Sequence, residues 1–265
     1  MSKKKIIGII LICIFSFSAF VCGGIFAHQY HESRTRADSF NDLSGLINDV
    51  EPVTPGEDSS EEEPTEETVD PEILEAQLAQ EKYGRLFEQN QDFIGWISIP
   101  GTNIDYPVMQ TPTNPDFYLK HGFDKEYSDY GVPYIEESCA LGISNNIVIY
   151  GHHMKDGSMF NDLCGYTEKA FWETHPVIYF DTVSKFGTYQ VVAVFKFDTN
   201  NETFKYNECV TMNEEQFAEF MANVHARELY DTGVDAGYGD QLLTLSTCEY
   251  TYKNGRFVVV AKRVD

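Results

Sequence analysis

An uncharged run from Ile6 to Ala27, directly behind Lys3-Lys4-Lys5, is the feature that most limits what this 265-residue chain can become. As a helix rising 1.5 Å per residue it spans about 33 Å, and a bilayer's hydrocarbon core is roughly 30 Å thick. Basic residues on the near side alone predict residues 1–5 inside the cell and everything beyond Ala27 outside it. A cleaved signal peptide is the competing reading, but it has a shorter apolar core and a small-x-small exit. Gly24-Ile25-Phe26-Ala27 makes a poor exit, so a retained single-pass anchor over 6–27 is the expectation. Val21 is too bulky to precede a lipid-modified Cys22, and Cys13 and Cys22 read as small hydrophobes within the run.

Beyond the anchor the charge is lopsided. The chain carries 19 Lys+Arg against 42 Asp+Glu, a formal charge of −23, which argues against a nucleic-acid partner because phosphate binding needs a basic face. Ten of the acids crowd between Asp49 and Asp70, where no Lys or Arg occurs. A stretch of Glu, Pro, Ser and Thr buries too little to offset its ordering entropy, so residues 28–70 read as an acidic, disordered tether. Six cysteines in 265 residues are too sparse for a disulfide-stapled scaffold.

Residues 71–265 read as one globular domain. Pro71 to Asn90 has helical apolar spacing at Ile73, Leu74, Leu78, Tyr83, Leu86 and Phe87, with proline at its start. Strand-like segments follow at 93–99, 104–108, 146–150, 177–180, 189–197, 241–247 and 256–264, interrupted by helical patterns at Met159–Trp172 and Asn213–Leu229. Short strands joined by Gly, Pro and Asn turns favour a mainly β fold, a closed or nearly closed barrel, over a parallel α/β sheet.

Four cysteines lie outside the anchor. No C-x-x-C occurs and no histidine stands at zinc-finger spacing, so neither a metal nor a cofactor is expected. Cys139, Cys164 and Cys209 read as buried small side chains, with disulfide pairing left open. Cys248 differs, because it ends the apolar run Leu242-Leu243-Thr244-Leu245-Ser246-Thr247-Cys248, where a strand-end nucleophile would be both rigid and accessible. Asn254-Gly255 signals a turn before the next strand, so a hairpin would bring Arg256 across from Cys248. Asn146 to His153 is a third strand running through Gly151 to an imidazole. Cys, His and Arg converging at one rim make a thiol nucleophile, an acid/base group and a cationic oxyanion stabiliser. A papain-like hydrolase, which wants its cysteine on a helix, and a tethered binding module with a structural Cys248 are the rival readings.

Thr244-Leu245-Ser246-Thr247-Cys248 with downstream Arg256 resembles the signature of sortases, and Tyr150-Gly151-His152-His153 resembles their catalytic histidine segment. The N-terminal helix and the helical insertion before the last strand pair resemble class B. The resemblance spans about 71–265 and implies a sortase-type barrel with Cys248 as nucleophile, His152 as acid/base and Arg256 as oxyanion stabiliser. Ser246 and Thr247 would contact substrate, and Glu249 would be a rim charge. The implied reaction is transpeptidation. Cys248 attacks the threonine carbonyl of a C-terminal sorting motif on a secreted surface protein, and a cell-wall peptide amine, or a pilin lysine, resolves the thioacyl enzyme. His153 is then a flanking residue. The implied location is the outer face of the cell membrane.

Overall fold

The computed structural model describes residues 3–48, 70–200, 203–251 and 253–265; the acidic run 49–69 lies outside the described residues. The chain divides into two units, residues 1–42 and 43–265.

The first helix, α1 (Lys3–Asn48), does not stop where the apolar run stops. Residues 28–48, expected as the start of a disordered tether, are helical instead. Backbone hydrogen bonding is indifferent to the change from apolar to polar side chains, and no proline interrupts it. Local pairs support the polar part, such as Arg34 Nε donating to the Tyr30 hydroxyl at 3.0 Å. The segment Ile12–Asn48 is long and apolar enough to cross a membrane.

In the second unit the end of α1 and the helix α2 (Pro71–Gln89) precede the barrel. Leu43 and Ile47 are 7% exposed, and the Ser44 hydroxyl reaches the Asp105 carboxylate at 3.5 Å. Asp70 caps α2 by accepting from the Glu72 amide, with Pro71 in the first turn. The buried face of α2 is Ala79, Tyr83, Gly84 and Leu86, whereas Ile73, Leu74, Leu78 and Phe87 are exposed. Tyr83 decides that face by donating to Asp181 at 2.6 Å, beside Lys82 at 3.3 Å.

Eight strands among the described residues close a barrel: β1 (Phe93–Ser98), β2 (Asp105–Met109), β3 (Tyr134–Ile135), β4 (Asn146–Tyr150), β5 (Val177–Thr182), β6 (Thr188–Asp198), β7 (Leu242–Glu249) and β8 (Gly255–Arg263). Around the barrel they run β1-β2-β3-β4-β7-β8-β6-β5 and back to β1. The β2–β3 and β4–β7 pairs are parallel and the rest antiparallel. Phe257 to Ala261 are all buried because β8 is covered on both faces. On one flank, α4 (Glu214–His225) packs Phe217, Phe220, Met221 and Val224 with Phe195, Val258 and Val260. A reciprocal capping box at Asn213 and Gln216 starts that helix. The expected Met159–Trp172 helix is instead a 3-10 helix (Asn161–Thr167) followed by α3 (Lys169–Thr174). Gly165, within the 3-10 helix, packs against α3, where an added Cβ would stand 2.9 Å from the Phe171 ring.

Candidate active site

Strand register places the three sequence-selected residues. In the antiparallel β7–β8 pair Cys248 is the direct partner of Arg256. In the parallel β4–β7 pair Tyr150 stands beside Ser246, and extending that register by two residues would bring His152 level with Cys248. Two bonds tie Gly151 to β7 at the strand end: its amide donates to the Ser246 carbonyl at 3.1 Å, and the Thr247 hydroxyl donates to its carbonyl at 2.8 Å. Cys248 thus has the arginine strand on one side and the histidine segment on the other, and all three side chains are half-buried.

Gly151 is required by close packing, since a Cβ there would lie 2.5 Å from the Phe160 ring. The Phe160 amide in turn donates to the His152 carbonyl at 2.8 Å, holding the histidine backbone from the far side. The His152 ring sits 2.7 Å from the Leu119 carbonyl through Nε2. A carbonyl only accepts, so Nε2 carries the hydrogen and Nδ1 is the nitrogen left to exchange a proton. Burial pushes the His152 pKa below its ordinary 6.5, against the opposing effect of the Leu119 bond, and the ring is neutral at pH 7.

Arg256 turns Nη1 to the Gly255 carbonyl at 3.0 Å. Tyr206, which sequence reasoning did not select, is 3% exposed, and its hydroxyl lies 2.7 Å from that of Ser246. Burial raises the Tyr206 pKa, against the opposing effects of the Ser246 bond and the Arg256 charge. No local signal marks it, because a tyrosine in an irregular segment is ordinary until the barrel brings that segment to the strand end.

The two remaining selected residues separate by face. Ser246 shares the side of β7 that carries Cys248, two residues on. Thr247 points to the other side, is 2% exposed and spends its hydroxyl on Gly151, so it braces the histidine segment rather than lining a surface open to a peptide. Glu249, also on that side, is an ion-paired rim charge with Lys196 Nζ at 3.1 Å. Desolvation works to raise its pKa, yet bonds from Thr251 and Lys196 hold it below the usual range. All six cysteines are free thiols. Cys139 is buried and Cys209 half-buried, and burial pushes the Cys164 thiol to about 11, where it is a poor nucleophile.

The sortase domain family matches residues 97–264, which contain the whole of this arrangement. The chain belongs to the sortase family. Sortase B of Staphylococcus aureus is 34% identical over 176 residues, covering 65% of this chain and 70% of that protein. Sortase B of Listeria monocytogenes is likewise 34% identical, over 178 residues, 66% of this chain and 71% of that one. The solved Staphylococcus aureus sortase B–substrate complex superposes with a TM-score of 0.72 at 25% identity, over 89% of this chain and 99% of that one. The protein is therefore a class B sortase, a cysteine transpeptidase, and the rival hydrolase and binding-module readings fall away.

Proposed function

We propose that Cys248 is the nucleophile of this sortase, His152 its proton carrier and Arg256 its oxyanion stabiliser. The assignment is supported by the direct pairing of Cys248 with Arg256 on β8 and by β4 running beside β7 up to Tyr150 and Ser246, two residues short of His152 and Cys248. The Cys248 thiol gives its proton to Nδ1 of His152, and the sulfur attacks the threonine carbonyl of a C-terminal sorting motif. The Arg256 guanidinium hydrogen-bonds the resulting oxyanion. On collapse the C–N bond breaks, Nδ1 returns its proton to the departing amine, and a thioester remains on Cys248. An amine of the cell-wall peptide then attacks the thioester through the same steps in reverse and releases the thiol. Ser246, on the Cys248 face but 1% exposed and bonded to Tyr206, supports the strand end from beneath the motif.

Residues 6–27 anchor the enzyme, with residues 1–5 inside the cell and the barrel outside, as the basic N-terminus and the apolar helix support. The test is a Cys248→Ala variant incubated with a panel of fluorogenic sorting peptides and candidate amines. Wild-type protein should form a peptide adduct visible by intact mass and pass it to one amine. Cys248→Ala should do neither, while Cys164→Ala and Cys209→Ala keep activity. Cleavage surviving in Cys248→Ala would sink the assignment.

A further inference from the structure

His153 has no part in the proton transfers above, yet its ring contacts the nucleophile's backbone. Its Nδ1 lies 3.1 Å from the Cys248 carbonyl, and because a carbonyl only accepts, Nδ1–H is the donor. The same nitrogen stands 3.3 Å from Cys164 Sγ. The imidazole packs edge-on against Tyr250, with ring centres 5.1 Å apart, and the Tyr250 hydroxyl donates to the His153 carbonyl at 3.3 Å. Gly151 is joined to Ser246 and Thr247 by the two bonds already described. The segment is therefore latched to β7 on both sides of His152: through backbone and Thr247 at Gly151, and through an imidazole at His153.

We propose that His153 is a positioning residue, whose Nδ1–H to the Cys248 carbonyl holds the histidine segment level with the nucleophile. Past Gly151 the segment leaves regular pairing with β7. The Gly151 bonds alone set one point, about which the segment can pivot. The His153 bond adds a second point beyond His152, and two points define the position of the residue between them. It acts from its own ring on the carbonyl of the strand end. The inference rests on Cys248 and His152 being the reacting pair.

Substitutions can separate this latch from general packing. An asparagine amide can offer an N–H close to where Nδ1–H stands, whereas a glutamine amide mimics Nε2. With a sorting peptide, His153→Ala and His153→Gln should lower kcat about five- to tenfold, KM staying within about twofold, as expected when alignment rather than affinity is lost. His153→Asn should recover to within about twofold of wild type, and Cys164→Ala should match wild type. The rate at which iodoacetamide alkylates Cys248 should stay near wild type across pH in all four, because the thiol itself is not altered. Equal loss in Asn and Gln, or wild-type kcat in His153→Ala, would overturn the inference. So would a loss in Cys164→Ala equal to that of His153→Ala, which would make the thiol the partner. Cleavage by Cys248→Ala would instead overturn the underlying site assignment, and is scored separately.

Discussion

At Arg256 the guanidinium has five N–H donors in a planar fork, and its Nη1 is already turned to the backbone at Gly255. An oxyanion can be held by the other edge of that fork, which a lysine ammonium cannot reproduce while also bonding the carbonyl. Arg256→Lys should therefore lower kcat by on the order of 10²–10³, the loss typical of one oxyanion donor, with an unchanged circular dichroism spectrum. Near-normal kcat would reduce Arg256 to a surface charge. Two other side chains titrate in opposite senses. Bonding to Glu228 raises the His225 pKa above 6.5, against desolvation, with Asp235 adding to the rise. Its stabilising contribution is thus fully present below pH 6.5 and lost as pH climbs through the raised value. His152 is lowered by burial, so its protonation disfavours the folded state as pH falls from 6.5 toward the lowered value. Urea midpoints measured from pH 5 to 8 should show His225→Ala weakest relative to wild type at the acid end, the gap closing as pH rises. A gap that widens with pH would contradict the Glu228–His225–Asp235 clamp.

Elements meet most tightly where the histidine segment leaves β4. Gly151 has no space for a side chain, because the Phe160 ring occupies the position a Cβ would take, and Phe160 also bonds His152. Gly151→Ala should destabilise the domain by about 1–3 kcal/mol, as overpacking does, and should lower kcat more than any exposed substitution because the displaced ring pulls on His152. A Gly151→Ala/Phe160→Leu double variant should regain part of both, since the smaller side chain makes room. Additive losses in that double variant would show that the two residues do not interact. The same segment explains why adjacent histidines differ. His152 faces the Leu119 carbonyl and His153 the Cys248 carbonyl, so His152→Ala should be nearly inactive while His153→Ala loses no more than roughly tenfold, consistent with a general acid/base worth about 10²–10⁴.

For the molecule as a whole, the end of α1 belongs with the barrel. Leu43 and Ile47 are buried in the second unit, and Ser44 touches Asp105, whose other oxygen accepts from the Trp96 indole at 2.6 Å. Burying an aliphatic side chain is worth about 1.5–3 kcal/mol as an upper estimate. A soluble fragment beginning at Pro71 should accordingly melt several degrees below one beginning at His28, yet match it in kcat/KM because the site is built from β4, β7 and β8. Identical melting would mean that residues 28–48 add nothing to the domain, as a simple tether would. A paired fall in kcat/KM would show that the helix end shapes the site.

Much of the barrel and the site was readable in the residues. β4 runs over the expected span, Asn146 to Tyr150, and β6, β7 and β8 lie within one or two residues of theirs, because β-branched and aromatic runs bounded by turn residues state their own ends. The hairpin at Asn254, with its left-handed φ of 65°, put Arg256 opposite Cys248 because turn geometry sets register over a short distance. Other features were decided by tertiary contacts. The two residues of β3 carry no strand signal and exist through their partners on β2 and β4. The buried face of α2 follows Tyr83 and its bond to Asp181, not the most apolar stripe. Tyr206 enters the site, Thr247 turns away from it, and His153 reaches the Cys248 carbonyl only because closing the barrel sets β4 beside β7. Local pattern encodes an element's type and length through backbone and side-chain preferences of neighbouring residues. Which side chains meet across the closed barrel depends on contacts between residues far apart in sequence, here nearly a hundred positions from His153 to Cys248.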